Sequence, residues 1–266
     1  MMKKYAFPSI IIITTLILSI PGHPQRTKSS LKAGNQRSSE KGLKDNRYFF
    51  YFINSSVSNM GTDEEKSMYK EAIQRDMIAQ FLYMKFMFGE SFDEIRKSQK
   101  ILIDLYRKIL EKDISATKEL LNGFAPEVVE KNNQKSRRYM NLGYRDTTNA
   151  RVKMVMADNY RDSLFSMRLY EYVRAIKYAK HGKRYAFLSI LESRTPPGKK
   201  KEYGILGFDE IGKFISGISG DKKDLYTLIH LDNYYRSKGG KSFYDMTWEN
   251  PRLEEIEEYK NYLKMK

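Results

Sequence analysis

Cysteine is missing altogether from this 266-residue chain. Its absence rules out disulfides, zinc–thiolate sites and a thiol nucleophile. It also rules out a bacterial lipid anchor, which requires a cysteine directly after the leader. Histidine is scarce, with three residues, and only His181 and His230 lie beyond the N-terminal segment. No H-E-x-x-H or comparable ligand pair can be written, so no metal and no cofactor is expected. Tryptophan occurs once, at Trp248, against 20 tyrosines. Tyrosine joins a broad apolar ring to a polar tip, which suits half-buried and interface positions. Long apolar runs are scarce too. The one candidate, Ile10 to Ile20, has eleven residues, too few for a comfortable membrane span. Lys3 and Lys4 precede it and Pro21-Gly22 breaks it, so residues 1–25 read as a signal peptide, with no stable membrane insertion after cleavage. The alternative is an uncleaved anchor. Either reading puts the body outside the cytoplasm and argues against nucleic acid.

Catalytic signatures are lacking as well. Gly240-Lys241-Ser242 resembles the end of a phosphate loop, but the first glycine of that motif falls on Tyr235. Ser219-Gly220 lacks the spacing of a nucleophile elbow. Glu254 with Glu258, and Asp158 with Asp162, read as helix-start or surface carboxylates rather than acid–base pairs. His181 reads as a residue of a helix C-terminus. The chain is expected not to be an enzyme.

What the chain has in abundance is positive charge, and it is unevenly placed. The formal net charge is +15, and the stretch from Lys131 to Lys201 alone carries 18 Lys/Arg against 5 Asp/Glu. Such a field favours an acidic partner: a protein surface, anionic lipid, cell-wall polymer or nucleic acid, the last disfavoured by the leader.

The hydrophobic pattern is helical almost throughout. Residues 26–47, rich in Ser, Lys and Gly, read as a disordered basic linker. Tyr48 to Ile53 reads as a short strand or a docked extended arm. Thr62-Asp63-Glu64-Glu65 forms a capping box that opens a helix running to about Phe88, where Gly89 stops it. Ser91-Phe92-Asp93-Glu94 opens a second helix to about Lys112, and the short connection implies an antiparallel hairpin. A helical turn near Leu120-Leu121 ends at Asn122-Gly123, and Pro126 suits the start of the next helix. Val128, Val129, Tyr139, Met140 and Leu142 belong to one long helix or two, with Asn132-Asn133 as the possible break, and Val152, Val155 and Met156 lead into the central helix.

Arg161 to His181 is the central helix, with Asp158 or Asn159 as N-cap and Gly182 at the left-handed position beyond its end. Phe165, Leu169, Tyr172, Val173, Ile176 and Ala179 share its apolar face. Arg184 to Glu192 is helical and stops before Thr195-Pro196-Pro197-Gly198. That stop divides a helical body, residues 48–197, from a C-terminal helical region, residues 198–266. The latter holds helices over Phe208–Ile218 and Lys222–Arg236, the second capped by Asp221, a loop to Trp248 and a last helix from Asn250-Pro251. The fold class is all-α: an elongated helical bundle with a hairpin, long central basic helices and a C-terminal helical extension.

The far side of the central helix carries Met167, Tyr170, Arg174 and Tyr178, residue types enriched at protein interfaces. Two readings stand: a helix packed on both sides within its own domain, or a face held ready for a partner. With Lys177, Arg137, Arg138, Lys183 and Arg184 these residues make the candidate partner-binding set.

The runs Leu142-Gly143-Tyr144-Arg145-Asp146, Met156-Ala157-Asp158-Asn159-Tyr160-Arg161 and Lys177 through Tyr185 resemble the spirochaete flagellar-coiling proteins. The likeness covers roughly Arg137 to Pro197. It implies an exported, elongated, helical, non-enzymatic protein of the periplasmic flagellar sheath. Its partners would be other sheath and filament-core proteins, and its role filament coiling and motility. The alternative reading is an exported helical module that binds anionic lipid or cell-wall polymer.

Overall fold

The computed structural model describes residues 28–217 and 222–264, with side chains from Asn35 onward. The assigned leader, Asp221 and Ser219-Gly220 lie outside the described residues. Among those described are nine α-helices and no strand, an all-α architecture. They are α1 (Lys28–Met60), α2 (Asp63–Met84), α3 (Phe88–Glu130), α4 (Gln134–Asp158) and α5 (Phe165–Arg194), followed by the shorter α6 (Phe208–Ser216), α7 (Lys223–Asn233), α8 (Phe243–Glu249) and α9 (Glu257–Lys264).

The expected capping box opens α2. Thr62 Oγ1 accepts from the Glu65 amide at 3.2 Å, and Glu65 Oε2 accepts from the Thr62 amide at 2.8 Å. The hairpin is also present, but its second arm differs from expectation. Its helix begins at Phe88, not at a second capping box. Ser91 instead donates to the Ala79 carbonyl at 2.8 Å, and Ser98 to the Ala72 carbonyl at 2.8 Å. These small residues let α3 lie close against α2. The helix then runs through Asn122, Gly123 and Pro126 for 43 residues, roughly 65 Å by helical rise. Leu121, Phe124 and Val128 are buried on its inner side, and that burial outweighs the weak local propensity.

The start of the described chain departs furthest from the sequence reading. From Lys28 onward the expected disordered linker is helix, and so is the Tyr48–Ile53 run, which continues it. Ser39, Gly42, Asp45, Asn46, Phe49, Ile53 and Val57 recur at three- and four-residue steps and are all buried. Their partners come from the hairpin: Ser39 Oγ donates to the Phe88 carbonyl at 2.8 Å, and Asn46 Nδ2 to Asp76 Oδ1 at 2.7 Å.

The helices α4 and α5 form the second antiparallel pair. Asn132, at φ 46°, makes the break, and the Asn133 side chain caps α4 by accepting from the amides of Lys135 and Ser136. Leu164, not Asp158 or Asn159, precedes α5, and Gly182 lies inside that helix, which continues to Arg194. The reason is close approach. A β-carbon on Gly182 would sit 2.7 Å from Thr147 Oγ1, and one on Gly143 3.0 Å from Leu121 Cδ2. Ser136 and Ser189 each donate to the other's carbonyl, at 2.8 and 2.9 Å. In the C-terminal region, the expected loop before Trp248 contains α8, whose Ser242 cap accepts from the Asp245 amide.

Two apolar cores result. The larger gathers Phe49, Tyr69, Leu102, Tyr106, Tyr172 and Ile176 from α1, α2, α3 and α5. The smaller joins Phe124 and Phe187 to Ile211, Tyr226 and Ile229 of α6 and α7. At the seam sits a buried charge cluster. Lys180 Nζ lies 3.0 Å from Asp232, and Lys183 Nζ bridges Asp113 at 2.8 Å and Asp232 at 2.9 Å. Ser55 and Ser56 both donate to Asp232 Oδ1, and Lys180 donates to Ser55 Oγ. The aromatic ring of Tyr235 lies 4.2 Å from the Lys180 ammonium. The cluster thus ties α1, α3, α5 and α7 together.

Burial opposes every charge here, so the pairing decides each balance. For Asp232, burial pushes upward, but Lys180 and Lys183 outweigh it and hold the carboxyl well below its ordinary range. For Asp113 burial wins and the carboxyl is raised. Burial likewise lowers Lys180. Lys183, between two carboxylates, is raised despite its burial.

Replacing Asp232 by Asn should cost about 3–5 kcal/mol in urea denaturation, because two buried ammonium groups lose a partner. The depressed Asp232 contributes stability at neutral pH that is lost as pH falls from about 4 through its folded value. The acid limb of the stability profile should therefore flatten in that variant. Gly182→Val should cost about 1–3 kcal/mol by overpacking against α4. Gly123→Ala, with nothing within 4 Å of the new carbon, should instead gain about 0.5–1 kcal/mol.

Candidate functional site

The outer side of α5 keeps the composition expected of it, though its residues have separate fates. Met167 and Arg174 are exposed, and Lys177, Tyr178 and Arg184 are half-buried. Tyr170 is turned partly onto α1, where its hydroxyl donates to Asp45 at 2.7 Å and its ring packs on Tyr48 and Phe49. Burial and that bond push its pKa up to about 12. Lys177 lies over the rings of Phe52 and Tyr48, at 4.1 and 5.6 Å. Arg184 lies 5.2 Å from the Tyr234 ring.

One expected site residue is in the wrong place for a partner. Lys183 is buried and bridges Asp113 and Asp232, so it belongs to the seam between the cores. Arg137 is only half-exposed and donates to the Val129 carbonyl across the α3–α4 turn at 2.9 Å. Arg138 is exposed on α4.

Several residues of the same surface carry no signal that singles them out in sequence. On α4 the exposed stripe is Gln134, Arg138, Asn141, Arg145, Thr148 and Val152, at helical spacing. With Val128 to Leu142 left as one helix or two, that register stays hidden. Arg145 and Lys177 lie close enough to His181 to act on its titration. Partial desolvation lowers the His181 pKa most; Arg184, Arg145 and Lys177 push the same way, and Asp146 opposes them. The Tyr139 and Tyr185 rings stack at 6.3 Å beside these cations.

The electrostatic balance of the basic segment is lopsided. All five carboxylates between Lys131 and Lys201 are engaged: Asp146 with Arg145, Asp158 with Arg107, Asp162 with Arg168, Glu171 with Lys153 and Arg174, and Glu192 with Lys200. Asp146, Glu171 and Glu192 are also buried. By contrast Arg138, Arg151, Arg161, Lys177, Arg184, Lys199 and Lys201 meet no carboxylate at salt-bridge distance among the described residues. Four of these cations, Arg138, Arg151, Lys177 and Arg184, lie on α4 and α5, and the basic segment presents them with its tyrosines and with no unpaired carboxylate of its own; the nearby Asp45 of α1 is buried under the Tyr170 hydroxyl. Such a surface has the charge that complements an anionic one.

Groups with a catalytic look are absorbed by structure. Asp158 accepts from Arg107 and from the Tyr172 hydroxyl. The His230 ring stacks on Phe208 at 4.5 Å and its Nε2 meets the Phe208 carbonyl at 2.9 Å. Glu258 pairs with Arg75 at 3.1 Å. Among the described residues no three His, Asp or Glu converge as a metal site, and no helix is long and apolar enough to cross a membrane.

Residues 33–262 match the family model for the surface protein adhesin OmpL37. No curated protein and no solved structure matches the chain. The match agrees with a spirochaete-type surface protein and does not single out the flagellar-coiling proteins. An adhesin family implies exposure at the outer surface and a binding role. On a match that spans most of its length, the chain belongs to the surface protein adhesin OmpL37 family.

Proposed function

We propose that this protein is a non-enzymatic surface binding protein that holds an acidic macromolecule against the outer face of α4 and α5. One observation carries the reading: in the basic segment every carboxylate is paired, while seven exposed or half-buried cations meet none. Charge left unpaired on a rigid helical frame raises the on-rate and fixes the register of an anionic partner. The tyrosines between these cations add apolar contact at little conformational cost. Attraction of this kind weakens as salt rises.

The resemblance over roughly Arg137 to Pro197 supports a finer reading. In it the acidic partner is another subunit of a periplasmic flagellar sheath, and the protein supports filament coiling. Cell fractionation separates the two. The sheath reading expects co-purification with flagella; the adhesin reading expects cleavage by protease added to intact cells.

Immobilised heparin serves as an anionic probe of the face. Changing Arg138, Lys177 and Arg184 together to Gln should weaken retention about tenfold, on the order of 0.5 kcal/mol per charge. Helicity by circular dichroism should not change, because none of the three is buried. Retention equal to that of the native chain would remove the face from the account.

A further inference from the structure

The turn joining α2 to α3 exposes a large apolar surface, although the Phe86 ring meets the buried Phe88 ring edge-on at 6.1 Å. Phe86 is 72% exposed and Met84 70% exposed, side by side at the end of the hairpin. Phe86 also has a left-handed backbone, φ 61°. The local hydrogen bonds explain that conformation. Phe86 N–H donates to the Tyr83 carbonyl and Met87 N–H to the Leu82 carbonyl, both at 3.0 Å. This is the pair of bonds that ends a helix through a left-handed residue, a position that favours glycine. A bulky side chain is strained there. Gly89 lies three residues further on, where the sequence suggested the stop. The chain thus keeps an exposed phenyl ring at a strained position.

Charge around the tip is predominantly positive, with Lys85, Lys44 and Arg47 against Glu40 and Glu90. Lys85 adjoins Phe86 directly. Beside Met84 and Tyr83 opens a cleft of about 510 Å³ whose lining includes Lys44 and Arg47 of α1, with Glu40 as its one carboxylate. Among the described residues none of Lys44, Arg47 and Lys85 is in a salt bridge. Exposed phenylalanine and methionine rimmed by free cations are the complement of a bilayer surface: apolar groups for the acyl boundary, ammonium and guanidinium for anionic headgroups.

We infer that the α2–α3 tip contacts an anionic lipid bilayer, with Phe86 and Met84 entering its interface and Lys85, Lys44 and Arg47 meeting its headgroups. This surface is separate from the α4–α5 face, and its failure would leave that reading intact. The tip also leaves the far end of the molecule free. Phe124, in the smaller core, lies roughly 50 Å from Phe88 along α3.

The test places a fluorophore at the tip of the full chain. Phe86→Trp in a Trp248→Phe background is mixed with phosphatidylcholine vesicles with and without phosphatidylglycerol. Emission should move to the blue only with the anionic lipid. Ile205→Trp, at an 80% exposed site by the smaller core, should not move. Because the readout is local, binding through residues 10–20 cannot imitate it. Lys44→Glu with Lys85→Glu should raise the vesicle concentration needed for half the shift at least about tenfold. Phe86→Gly should melt no lower than the native chain, since glycine relieves the strain. Emission at position 86 that ignores anionic vesicles would overturn the inference, as would a Phe86→Gly variant that unfolds, because the ring would then be serving the fold.

Discussion

Two lysines and two aspartates with almost no access to water hold this molecule in register. Lys180 and Lys183 come from the most basic stretch of the chain, yet they point inward. Removing four charges from water is costly, and only good pairing offsets it. Here the pairing is nearly complete: three ion pairs of 3.0 Å or less and three serine or lysine hydrogen bonds. Apolar packing could hold four helices together in many registers. A charge cluster has few satisfactory ones, because any slip leaves a buried ion alone. That constraint fixes α7 against α1, α3 and α5, and with it the smaller core.

The same stretch of sequence therefore does two things. Its inward lysines lock the frame, and its outward arginines and tyrosines decorate it. The division follows the helical period. On α5, Lys180 and Lys183 fall on the side of Ile176 and Phe187, while Arg174, Lys177, His181 and Arg184 fall across from it. Every carboxylate of the stretch finds a cation, and the surplus cations remain outside. A family of surface adhesins needs a stable body and an accessible face, and one helix contributes to both.

Much of this was legible where the signal is local. The Thr62–Glu65 box, the apolar stripe of α5, the break at Asn132-Asn133 and the stop before Pro196 each rest on residues within a turn or two. The failures share a physical cause. The α1 helix buries Ser39, Asp45 and Asn46, which look like linker until Asp76 and the Phe88 carbonyl are brought to them. Gly182 looks like a helix end, but like Gly143 it permits helices to touch. Lys183 looks like a surface cation because Asp113 and Asp232 are 70 and 49 positions away. No periodicity reports such pairings. The outer face was half visible: Arg138, Arg174 and Arg184 were found by residue type, whereas Arg145 and His181 join them only through the packing of α4 on α5.

The division of the cations into an inward and an outward set is the centre of the account, and lysine acetylation of the native protein, read by mass spectrometry, tests it most directly. Lys199 and Lys201 should be modified quickly, while Lys180 and Lys183 should stay unmodified until denaturant unfolds the chain. Modification of Lys183 in the native protein at the rate of Lys199 would contradict the account.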